Sequence, residues 1–130
     1  MKSVVCILFF LSIFVVAQEQ KVVTLPEETA GKLKCMNKEF ILSTPKNYES
    51  AKSVPLIIFL HGSGERGTDI NKVAVHGIPK IAPQNKDFEF MGVSPQCLKK
   101  DKMRWTIEDL DLLLEYVLKT YKVDKKRIYL

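Results

Sequence analysis

Pro55-Leu56-Ile57-Ile58-Phe59-Leu60 is an unbroken apolar run, rich in β-branched and aromatic residues, that stops abruptly at His61-Gly62-Ser63-Gly64. A strand that is half-buried alternates apolar and polar positions. One with no polar position is buried on both faces, so this run is expected at the centre of a parallel sheet. Lys34–Ser43 predicts an earlier, partly exposed strand that Thr44-Pro45 closes ahead of the polar turn Lys46–Lys52. Phe88–Val93 predicts a further strand ending at Ser94-Pro95, and Arg127–Leu130 begins a buried one. Glu65–Asp87 is rich in Gly, Pro, Asn and charge and has room for a short helix near Asn71–Val75.

The clearest helical period starts after Thr106. Ile107, Leu110, Leu113, Leu114, Val117, Leu118 and Tyr121 recur on one face, and the Thr106 hydroxyl can accept from the N–H of Asp109 three residues on. Glu108, Asp109 and Asp111 crowd the first turns and Lys119 and Lys122 the last, as the helix dipole favours. Gln18–Ala30 shows no period and reads as an N-terminal arm. Strand, strand, loop, strand, helix, strand is the alternation of an α/β fold with parallel central strands.

Composition narrows the class. With 46% apolar and 27% charged residues, the 130-residue chain has a globular balance. Met1–Ala17 carries Lys2, then an apolar run, then Val15 and Ala17 before polarity begins at Gln18. That is the layout of a signal peptide, too short to span a bilayer. The expected organisation is therefore a signal at 1–17, an arm at 18–30 and a partial α/β domain at 31–130, with the product secreted or periplasmic and free of a membrane span. The formal charge of +5 comes from lysines spread among acids, which argues for a solvated surface and against a nucleic-acid face. Cys35 and Cys97 remain after removal of Cys6; a single disulfide between them is open, with two separate buried thiols the slightly favoured alternative. No CxxC and no paired histidines mean that no metal ligand set is expected, and no cofactor.

The candidate chemistry lies in His61–Gly67, HGSGERG, at the carboxyl end of the best strand, where open α/β sheets place ligands. Gly62, Gly64 and Gly67 satisfy the dinucleotide pattern GxGxxG. However, Thr68-Asp69-Ile70-Asn71-Lys72 supplies no apolar helix beginning inside it, and Asp87 precedes the next strand instead of ending it. The alternative is an oxyanion loop, in which a strand exit presents backbone N–H groups to a developing negative charge. Ser63 itself lacks the glycine two positions earlier that a G-x-S-x-G elbow requires.

PLIIFLHGSGERG, GVSPQC, Trp105 and YKVDKKRIYL together resemble the N-terminal half of the exported α/β-hydrolases of the esterase, phospholipase and predicted-peptidase group, relatives of dienelactone hydrolases and polyhydroxybutyrate depolymerases. The likeness covers residues 38 to 130. It implies the first half of an α/β-hydrolase sheet, with the strand at Arg127–Leu130 leading into a G-x-S-x-G elbow. The Ser, Asp or Glu, and His of a triad are then expected beyond Leu130, with no catalytic residue in this chain and no turnover of its own. The oxyanion donors are expected to be the N–H groups of Ser63 or Gly64. Gln96 and Trp105 match positions near the cleft and are expected to line the substrate. His61 is expected to brace the loop, His76 to lie on the surface, and Asp124 and Arg127 to pair. The expected activity is hydrolysis of a small carboxylic ester, with a peptide bond as runner-up and a non-catalytic exported binding or structural protein as the rival.

Overall fold

In the computed structural model, which describes residues 18–99 and 104–130, five strands form one mixed sheet. They are β1 (Glu19–Thr24), β2 (Met36–Thr44), β3 (Val54–Ile58), β4 (Met91–Cys97) and β5 (Val123–Tyr129), in spatial order β1-β2-β4-β3-β5. β1 and β4 flank β2 antiparallel, whereas β3 runs parallel to both β4 and β5. The fold class is α/β, and the apolar run at residues 55–60 supplies the middle strand of the parallel group. The expected signal peptide at Met1–Ala17 lies outside the described residues. Among the described residues no helix is long and apolar enough to cross a membrane.

Both faces of the sheet are covered, and alternation along β2 divides its side chains between them. Phe40 and Leu42 join Leu56, Ile58, Val93, Leu113 and Val117 in the main core, while Ile41 joins Ile70 and Val73 on the other face. The first face is closed by α3 (Ile107–Thr120) together with α1 (Glu27–Ala30). The second is closed by the segment that holds a 3-10 turn at Ile70–Val75, α2 (Gly77–Ile81) and a further 3-10 turn at Ala82–Gln84. Each fully buried aliphatic side chain, such as Leu113, contributes about 1.5–3 kcal/mol by leaving water.

Several elements depart from their sequence-based expectation. The arm at 18–30 contains β1, which alternates little because it lies at the sheet edge and takes its order from pairing with Thr44 to Glu39 of β2. β2 is largely buried, since it has neighbours on both sides. β4 begins three residues later than expected and runs through Ser94-Pro95 to Cys97. A proline is tolerated there because β3 has already stopped pairing at Val93, so β4 needs a ladder only toward β2. The helix expected near Asn71–Val75 is a 3-10 turn, capped by Asp69. β5 is mostly exposed, with Tyr129 50% accessible, because its outer edge has no strand beside it among the described residues.

α3 starts as its sequence requires, with the Thr106 hydroxyl accepting from Asp109 N at 3.3 Å. Its buried stripe, however, is Asp109, Leu113 and Val117, while Ile107 is 75% exposed. The Asp109 carboxylate earns its place inside by accepting from the N–H groups of Lys34 (3.0 Å) and Cys35 (2.7 Å), which ties the start of β2 to the first turn of α3. At the far end, burial and the neighbouring Tyr116 push the Tyr121 phenol up to about 12.

On the opposite face Gly77 adopts φ +57°, and a Cβ there would overlap the ring of Phe59. Gly77→Ala is therefore expected to cost about 2–3 kcal/mol, combining a left-handed backbone with overpacking. The check is a urea melt in which the midpoint falls with the slope unchanged.

Candidate active-site loop

β3 ends in mid-sheet while β4 continues past it, which leaves the last residues of β4 without a strand on that side. The backbone groups of Cys97 are satisfied by the loop instead. Its N–H donates to His61 Nε2 at 2.9 Å, and its C=O accepts from Gly67 N at 3.0 Å. The HGSGERG segment is thus pinned to one residue at both its ends. Gly67 closes the second pin at φ +145°, a conformation open to glycine.

His61 is buried and both ring nitrogens are engaged. Because Nε2 accepts, the ring proton sits on Nδ1, which donates to Gly62 O at 2.6 Å. Its ring meets Trp105 edge-on, with centroids 5.0 Å apart. A base must have a free nitrogen lone pair facing the nucleophile, and His61 has none. It braces the loop, as its place before the glycines suggests.

Gln96 is fully buried. Its Nε2 donates to Glu65 O and Asp69 O, each at 2.8 Å, and its Oε1 accepts from Asn37 Nδ2 at 3.0 Å. One side chain therefore clamps the second half of the loop onto β4 and, through Asn37, onto β2. Sequence reading placed Gln96 along the substrate path, whereas the structure puts its whole amide into holding the loop.

Between these ties Gly62, Ser63 and Gly64 stand exposed. Ser63–Glu65 forms a 3-10 turn preceded by extended Gly62 (φ −78°, ψ −168°). The N–H groups of Ser63 and Gly64 head this turn, where no earlier carbonyl of the turn can accept them. They are free to bind a negatively charged oxygen from outside. Trp105 is half-buried, packed against the main core and in edge contact with His61. Of the four residues singled out from sequence, Ser63 and Gly64 are exposed, Gln96 is buried in hydrogen bonds to the loop and to Asn37, and Trp105 lies against His61.

Glu65 does not pair with Arg66. Its carboxylate lies between His61 Nδ1 (3.9 Å) and His76 Nε2 (3.6 Å), which brings the exposed His76 to the flank of the loop. Since His61 is neutral in this arrangement, only the His76 contact can become an ion pair. Asp124 and Arg127 do pair, Nε to Oδ2 at 2.8 Å, and this hydrogen bond holds the Asp124 carboxyl below its usual range. No hydrogen bond joins Ser63 to either imidazole among the described residues, so no Ser-His-acid relay is assembled within them. The described residues also hold no cluster of three or more metal-ligating side chains.

Cys35 and Cys97 are free thiols, the first partly exposed and the second buried. Burial pushes the Cys97 thiol up, an effect that the nearby Arg66 charge offsets only in part. Alkylation of the native protein at mildly alkaline pH is expected to modify Cys35 and spare Cys97, with both reacting after unfolding without reductant. Protection of both thiols in unfolded, unreduced protein, read by mass, would instead establish a disulfide.

No family model matches the chain, and no curated protein matches it. A solved structure described as a thermostable esterase is similar over 86% of this chain, at 20% identity and a TM-score of 0.48. The alignment covers 33% of that protein, so the chain spans about a third of its length.

Proposed function

We propose that this chain forms the oxyanion-binding part of an exported hydrolase of carboxylic esters, with the N–H groups of Ser63 and Gly64 as the donors. The observation that carries the reading is the exposed Gly62–Gly64 segment, whose flanks are fastened to Cys97 and Gln96 while its own N–H groups stay uncommitted. Donors fixed before the reaction need no reorganisation as charge develops on the carbonyl oxygen, and that is what makes such a loop effective. The loop also leaves the carboxyl end of β3, and β5, whose Tyr129 pairs with Ile57, ends beside it. A nucleophile presented from the β5 side would face the donors across the crevice where α/β sheets bind ligands.

In this reading the nucleophile and its base come from residues other than Ser63 and His61. Ile107 on α3 is a large apolar side chain left exposed, a position that further protein would cover. The test is a fluorophosphonate probe for activated serine together with an activated short-chain ester. The 130-residue chain is expected to take no label and to show no saturable turnover, and any longer product of the gene that adds a G-x-S-x-G elbow is expected to show both. Stoichiometric labelling of Ser63 would overturn the assignment of the loop. A longer product that binds ester without hydrolysing it would favour a binding protein.

A further inference from the structure

The outer flank of the same loop carries a charge pattern that the linear sequence conceals. Arg66, Lys72 and Lys99, which are distant in the chain, line one cavity of about 380 Å³ together with Thr68, Asp69 and Leu98. Three positive side chains face one carboxylate. One oxygen of that carboxylate, Asp69 Oδ1, accepts from Asn71 N (3.2 Å) and Asn71 Nδ2 (3.1 Å) in capping the 70–75 turn, and its single charge still leaves the cavity with an excess of positive groups. None of the three cations has a carboxylate within 4 Å among the described residues.

We propose that this cavity holds the anionic group of the substrate, so that the ester processed at the loop is a hemi-ester bearing a free carboxylate. Arg66 lies two residues after Gly64, and two residues of extended chain reach at most ~7 Å, so a short spacer between the ester carbonyl and the carboxylate bridges donor loop and cavity. The cavity volume suits a small acid at the low end of ligand sites. Arg66 offers the planar fork that pairs with a carboxylate on both its oxygens, while Lys72 and Lys99 supply point charges at the rim. Such a site would also draw anionic ester from solution, an effect that salt weakens.

The inference rests on the ester reading for its chemistry, but its test needs no turnover. The 130-residue chain is titrated with monomethyl succinate, dimethyl succinate and inorganic phosphate, at low and at physiological salt, following backbone amide shifts. Monomethyl succinate is expected to move the amides of residues 63–72 and to bind at least ~10-fold more tightly than the neutral diester. Phosphate is expected to compete for the same amides, weakly. Arg66→Gln and Lys99→Gln are each expected to weaken the hemi-ester by ~5- to 10-fold, whereas Lys52→Gln, an exposed lysine elsewhere, leaves it unchanged. Equal binding of hemi-ester and diester would overturn the proposal, as would unaltered binding in the Arg66 and Lys99 variants. Phosphate binding more tightly than the hemi-ester would overturn the carboxylate assignment in favour of a phosphate-bearing ligand. Failure of the ester reading alone would appear differently, as intact hemi-ester binding with no hydrolysis by any longer product.

Discussion

Gln96→Leu is expected to destabilise the fold by about 3–5 kcal/mol and to loosen the loop it holds. The side chain is wholly inside, and its amide is the partner of two main-chain carbonyls, Glu65 O and Asp69 O, and of the Asn37 amide. Leucine fills the space but bonds to none of them. A buried polar group left without a partner costs about 1–3 kcal/mol, and because Glu65 and Asn37 are only half-buried and Asp69 is exposed, contact with water recovers part of the sum. Because Glu65 and Asp69 flank the Arg66–Thr68 bend, the loss falls on the candidate oxyanion loop before it reaches the core. Native-state hydrogen exchange in the variant is expected to show faster opening at Gly67, whose N–H donates to Cys97 O, than at Leu56 in β3. Gln96→Glu offers a second reading of the same site. It keeps the acceptor toward Asn37 but sets a carboxylate against two carbonyl oxygens, and it is expected to be no less damaging. A Gln96→Leu protein as stable as the parent would show that the clamp is not what holds the loop.

How much of this could be read from sequence depends on whether the signal is local. The strand at residues 55–60 and the helix after Thr106 carry their own periodicity and cap, and both stand where the pattern places them. β1 carries no such pattern. Its order comes from a partner strand, and pairing of Glu19 with Thr44 across the sheet is invisible in a short window. β5 is exposed for a related reason, because an apolar strand is buried only where a neighbour covers it.

The loop itself was legible as HGSGERG, since glycines at a strand exit signal close approach of a backbone to something else. What fixes it was not legible. Gln96 and Asp109 are buried polar residues whose partners lie 27 to 75 residues away, so their roles exist only in the folded chain. A usable trace was present in one of them. Asp109 shares the spacing of Leu113 and Val117, and a carboxylate in line with an apolar stripe points inward to waiting donors. The gathering of Arg66, Lys72 and Lys99 had no trace of that kind, and the even spread of lysines along the chain suggested the reverse.

The central claim is that the backbone of Ser63, and not its hydroxyl, serves the chemistry, and a pair of substitutions separates the two. Ser63→Ala removes the hydroxyl and keeps the N–H. Ser63→Pro removes the N–H at the first position of a turn, where proline is tolerated, after a Gly62 that already has the extended conformation a following proline requires. Loss of one oxyanion donor costs about 10²- to 10³-fold in kcat. The decisive measurement is kcat for an activated short-chain ester in a longer product of the gene that carries a G-x-S-x-G elbow, with thermal stability followed in parallel. The account predicts that Ser63→Ala stays within about threefold of the parent while Ser63→Pro falls by ~10²-fold or more at unchanged stability. A Ser63→Pro protein that is as active as the parent, or a Ser63→Ala protein that is inactive, would contradict it.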